Sequence, residues 1–103
     1  MSLSVLFDKR KLFTSLIPQL LNKMMEDGYV PLIGKDGLKH MKGSLHYDGL
    51  AMDIDLFKDN VYLTGTEDHR VFGEFWEGLH PDTRWGGKFK DGNHYSLTYQ
   101  NRK

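Results

Sequence analysis

With 103 residues, 39% hydrophobic and 27% charged, the chain has the length of one domain, residues 1–103, with a single modest core. Its 14 Lys+Arg balance 14 Asp+Glu, which argues against nucleic acid or an anionic membrane as partner, and no apolar run is long enough to span a bilayer. There is no cysteine, so disulfides and thiolate metal sites are excluded, and any metal must be held by His, Asp or Glu.

The first residues, Met1 to Phe7, carry no basic region ahead of a long apolar stretch, so no signal peptide is expected. Leu12, Leu16, Leu20 and Met24 then recur every four residues, with Phe13, Ile17, Leu21 and Met25 beside them. This is the wide apolar stripe of a helix, with Asp8 as its expected cap and Gly28 as its stop. Pro18 sits inside the pattern and is expected to kink the helix or split it. Tyr29 to Ile33 is short and apolar. A turn at Gly34-Lys35-Asp36-Gly37 and a basic, irregular stretch from Lys39 to Gly43 follow.

From Leu50 to Phe57 the pattern alternates, with Ala51, Asp53 and Asp55 on one face and Met52, Ile54 and Leu56 on the other, as in a strand. Lys58-Asp59-Asn60 reads as a turn and Val61 to Leu63 as the returning strand of a hairpin. Thr66 is the expected cap of a second helix, with Glu67 and Asp68 in its first turn, Phe72, Phe75, Trp76 and Leu79 on its buried face, and Pro81 closing it. Trp85-Gly86-Gly87 reads as a loop, and His94 to Tyr99 alternates again as a strand. Helix, strands, helix, strand predicts an α+β domain, a small antiparallel sheet packed against helices.

Chemistry concentrates in two segments. In Ser44-Leu45-His46-Tyr47-Asp48-Gly49-Leu50-Ala51-Met52-Asp53, a loop histidine and a strand carboxylate flank a glycine turn, and the small Ala51 shares the face of Asp53. Imidazole and carboxylate can converge there on a zinc ion. In Asp91-Gly92-Asn93-His94, His94 opens the last strand and can supply a third ligand, which leaves one position for water. Asp91, across the glycine turn, can serve that water as general base and the leaving amine as general acid.

These strings resemble the S-x-H-x-x-G-x-A-x-D and acid-x-x-H signatures of D-alanyl-D-alanine carboxypeptidase-like zinc peptidases. The intervening T-E-D-H-R and W-G-G look closest to the phage and prophage branch, which includes L-alanyl-D-glutamate endopeptidases acting as endolysins. The resemblance covers roughly Gly43 to Leu97. It implies a hedgehog/D,D-peptidase-like fold and one Zn2+ per chain held by His46, Asp53 and His94, with Asp91 as catalytic acid/base. It further implies a peptidoglycan stem peptide as substrate, a monomer, and accumulation in the host bacterial cytoplasm before release to the cell wall. Ser44 and Trp85 are the candidate substrate-binding residues: Ser44 either hydrogen-bonds the substrate or fixes its loop, and Trp85 either lines the cleft or wedges the loop.

Members of that branch usually carry an arginine upstream of the first signature, aimed at the oxyanion or the substrate carboxylate. From Tyr29 to Ser44 this chain has none; Lys39 and Lys42 are the cations nearest the signature, and an ammonium lacks the bidentate fork. Among the other polar residues, Asp55 is expected at a solvated strand end, and His69 in capping and packing. His40 and His80 are expected at the surface, and Trp76 in the core.

Overall fold

The stripe from Phe13 to Met24 is the buried face of one long helix, α1 (Leu3–Glu26), in a computed structural model that describes residues 3–34, 45, 46, 48–100 and 102. Phe13, Leu16, Ile17, Leu20 and Met24 are buried, whereas Met25 points outward. The helix starts ahead of Asp8, and Pro18 does not divide it. Pro18 lies on the exposed side, so the one intrahelical hydrogen bond it removes frees a carbonyl that water can reach. The buried stripe continues past it on both sides and holds the two halves in line. Gly28, with φ of 92°, ends the helix, as its position in the sequence suggests.

Among the described residues, five strands form one antiparallel sheet: β1 (Val30–Ile33), β2 (Ala51–Lys58), β3 (Val61–Leu63), β4 (Thr83–Trp85) and β5 (His94–Leu97). Their order is β1-β2-β5-β4, with β3 also pairing β2. The fold is therefore α+β. The β2–β3 turn places Asp59 and Asn60 at φ of 52° and 67°, the left-handed pair that suits a two-residue hairpin. Strand β4 was not apparent in the sequence, where Trp85 reads as loop. Three residues give too short a run to show a period.

Helix α2 (Arg70–Glu77) follows a 3-10 turn, Thr66–His69. Gly65, and not Thr66, takes the cap position, and the Asp68 carboxylate accepts a hydrogen bond from the Gly65 N–H at 2.9 Å. The helix stops at Gly78, ahead of Pro81. Among the described residues, no helix is long and apolar enough to cross a membrane. The turn from Gly34 to Gly37 and the Lys39–Gly43 stretch lie largely outside the described residues.

The alternation of β2 divides the sheet into two faces. Ile54 and Leu56, with Tyr95 and Leu97 of β5 and Thr83 and Trp85 of β4, point to the helices and are buried. Trp76 of α2 joins the layers. Its ring meets Phe13 of α1 and Tyr95 of β5 edge-on, at centroid distances of 5.8 and 6.2 Å. Its Nε1–H lies 3.1 Å from both the Arg84 and Ser96 carbonyls, so it also ties β4 to β5. Each such large side chain removed from water contributes about 1.5–3 kcal/mol, which makes this face the main source of stability.

Candidate metal centre

The outer face of β2 carries Ala51, Asp53 and Asp55. Strand register sets Asp53 directly opposite His94 of β5. The Asp53 carbonyl accepts from the Gly34 N–H at 2.8 Å, and the Asn93 carbonyl accepts from the Ile54 N–H at 2.9 Å, so the strand is held on both sides at this point. The third residue, His46, comes from the loop before β2. Leu45 and Leu50 bury the two ends of that loop, and the Leu50 N–H closes it onto the Leu45 carbonyl at 3.0 Å. Gly49 turns the chain at φ of 72°, a conformation that a side chain would strain, and its N–H reaches the His46 carbonyl. Arg102 pairs with Asp48 on the same loop.

Three ligand atoms converge as a result. His46 Nε2 is 3.2 Å from His94 Nδ1, and each lies 3.4 Å from Asp53 Oδ1. A tetrahedral ion with bonds of about 2.0–2.1 Å needs ligand atoms about 3.3–3.4 Å apart, so this triangle has the size of one face of such a shell. The donor set of two imidazoles and a carboxylate also suits a divalent cation, whose charge relieves the crowding of lone pairs at one point. His46, Asp53 and His94 could therefore hold a metal ion. The side chains are 6%, 21% and 13% exposed, so the cluster is largely shielded and opens chiefly on the Asp53 side.

That side faces a cleft of ≈ 490 Å³ lined by Leu32, Ile33, Gly34, Asp53, Asp55, Phe57, Tyr62 and Asn93. Asp91 is exposed and lines a smaller neighbouring cavity of ≈ 120 Å³, which shares Tyr62 and Asn93 with the larger one. The Asp91 carbonyl accepts from the His94 N–H at 3.1 Å, and its own N–H reaches the Gly86 carbonyl at 3.0 Å. Asp91 is thus fixed through its backbone beside His94, with its carboxylate outside the ligand triangle.

Trp85 is not part of the cleft wall, where a substrate-binding role would put it. It is 5% exposed, and its indole packs over Gly73 and Gly87 with the Arg70 guanidinium 5.5 Å above the ring. The adjacent glycines make room for the indole instead of marking an open loop. Its Nε1–H donates to the Gly92 carbonyl at 2.7 Å, so Trp85 supports from inside the turn that presents His94. Gly86 belongs to the same support: a Cβ there would clash with the Asp91 carbonyl and come within 2.9 Å of His94 Cβ. Its importance is not visible in the sequence, because it depends on a contact across the turn. Ser44 and His40 lie outside the described residues.

His69 packs as expected. It is 3% exposed, with Nδ1 2.8 Å from the Tyr95 hydroxyl. Burial pushes the His69 pKa below 6.5, against the opposing pull of Asp68 and Asp55, and burial pushes the Tyr95 pKa up. Burial thus favours the neutral form of both groups, and the His69 tautomer sets which of them donates in this hydrogen bond. His80 is half-buried in the turn before β4, where its Nδ1 accepts from the Asp82 N–H at 3.0 Å.

In comparisons with known proteins, no protein-family model and no curated sequence matches the chain.

Proposed function

We propose that the protein is a zinc-dependent peptidase of bacterial peptidoglycan stem peptides, of the L-alanyl-D-glutamate endopeptidase type found in phage and prophage lysis. The observation that carries this reading is the triangle of His46 Nε2, Asp53 Oδ1 and His94 Nδ1, sized for a tetrahedral ion and bordered by a cleft. The two signature strings that hold these residues, and the likeness of their spacing to D-alanyl-D-alanine carboxypeptidase-like peptidases, support the choice of zinc and of a peptide substrate. When bound, zinc supplies a water made acidic near neutral pH and a Lewis acid for the scissile carbonyl.

The chain's own residues supply the rest. His46, Asp53 and His94 would hold the ion through two imidazole nitrogens and a carboxylate oxygen. Asp91 takes the proton of the attacking water as its oxygen bonds to the carbonyl carbon. It passes that proton to the departing nitrogen as the C–N bond breaks. The cleft from Asp53 to Leu32 admits the peptide beside the reacting carbonyl.

Three measurements test this. Purified protein should carry about one zinc per chain, and zinc that stays far below this after metal is added would end the reading. Product masses from purified peptidoglycan should show release between L-alanine and D-glutamate; loss of D-alanine would instead mark a D,D-carboxypeptidase or dipeptidase on the same scaffold. Asp91→Asn should keep the metal and lower hydrolysis by about 10²–10⁴-fold. A second reading, a zinc-containing wall-binding module without activity, is favoured by the lack of arginine between Tyr29 and Ser44, since losing one oxyanion donor costs about a hundredfold or more in rate. Full zinc with no turnover, in wild type and Asp91→Asn alike, would select it.

A further inference from the structure

The outer face of β2 carries a second carboxylate that the metal cluster does not use. Asp55 lies two residues beyond Asp53 on the same face and lines the same ≈ 490 Å³ cleft. It is half-buried, and one of its oxygens accepts a hydrogen bond from the Tyr62 hydroxyl at 3.2 Å. No lysine or arginine among the described residues forms an ion pair with it. Burial and the Asp55 charge both push the Tyr62 pKa up, so the phenol remains a fixed donor that orients the carboxylate.

The surroundings of Asp55 are apolar on both sides. Leu32, its register partner on β1, is 50% exposed, and Ile33 beside it is 64% exposed. On the other side the rings of Phe57 and Tyr62 stack, with centroids 5.0 Å apart and planes inclined by 26°. An aliphatic edge, an aromatic edge and one uncompensated carboxylate form a slot that leads away from the metal cluster.

We propose that this slot is a specificity subsite for a substrate side chain with an aliphatic stem and a terminal ammonium, a lysine-like residue, recognised by Asp55 as oriented by Tyr62. The methylenes lie between Leu32 and the Phe57–Tyr62 pair, and the ammonium meets the carboxylate. A carboxylate is an acceptor only, so it selects a cation over a neutral or acidic end group. The tyrosine occupies one side of it, which suits a point-like ammonium better than the bidentate fork of a guanidinium. The aromatic pair, half-buried at Phe57 and exposed at Tyr62, adds a face that also attracts cations. That the occupant is a substrate rests on the peptidase reading above; the selectivity for an ammonium does not.

Equilibrium binding separates the two. Zinc-loaded Asp91→Asn protein is titrated with L-alanyl-D-glutamyl-L-lysine and with the same peptide carrying norleucine in place of lysine. The lysine peptide should bind about fivefold tighter, a difference of the size expected for a partly exposed ion pair. Adding Asp55→Asn should bring the two peptides level, and Tyr62→Phe should shrink the difference without removing it. Equal binding in the Asp91→Asn protein, a preference that survives Asp55→Asn, or no binding of either peptide would each overturn the subsite. Cleavage by wild type is scored apart. Cleavage with equal binding rejects the subsite alone, and a lysine preference without cleavage rejects the peptidase reading alone.

Discussion

On the inner face of β2, Ile54 and Leu56 are fully buried under the two helices; on the outer face, Asp53 and Asp55 line a cleft. Each residue on one face is a single peptide unit from a residue on the other. The inner side chains have apolar neighbours throughout, so their exchange is felt as lost packing. The outer ones are polar and partly solvated, and they converge on atoms from a different strand and a loop. One eight-residue strand therefore carries stability and candidate chemistry on separate sides, and the two should respond to separate mutations.

The largest expected effect is on the inner side. Trp76→Ala removes a fully buried ring that contacts α1 and β5 and donates toward two carbonyls. It should cost about 3–5 kcal/mol, seen as a lower urea midpoint, and a loss under 1 kcal/mol would show that the core does not depend on this face as argued. Next comes the outer side. Zinc at a hundredfold excess over its Kd should add about 2.7 kcal/mol, a rise in Tm of about 10–20 °C by calorimetry. His94→Gln should abolish that rise and leave the metal-free Tm near that of wild type. A collapse of the metal-free fold would mean that the two faces are not separable.

The smallest effect sharpens the boundary. His69 lies on the buried side with its pKa held below 6.5 by burial, and the unfolded chain therefore binds the proton more readily. Its contribution to stability is complete above pH 6.5 and falls away as pH drops through that value toward the folded pKa. His69→Gln should flatten the decline between pH 7 and pH 5.5, measured by denaturant unfolding against wild type. An unchanged slope would assign the decline to other groups.

Much of this division was legible in the sequence. The α1 stripe and the β2 alternation stand out because a polar and an apolar face contrast over many residues. His46, Asp53 and His94 were legible because metal-ligating side chains flank two glycine turns at close spacing, and the structure brings all three together. What depends on contacts between distant segments was not. Trp85 looks exposed beside two glycines until α2 is placed over it, and β4 has no period to detect. The cap shifts from Thr66 to Gly65 because the Asp68 side chain reaches back to the Gly65 amide, a geometry set by one 3-10 turn. The Asp55–Tyr62 pair arises only from the hairpin register, and Pro18 fails to break α1 because packing on both sides outweighs one lost hydrogen bond.

The pairing of Asp53 with His94 has a consequence for folding fidelity. Side chains alternate along a strand with a period of two, so a slip of β2 by one residue would turn Ile54 out to solvent and Asp53 into the core. The same slip would part Asp53 from His94. A misregistered sheet would thus lose its core and its ligand triangle together, so the capacity to hold an ion would report that the correct strands have met in the correct frame.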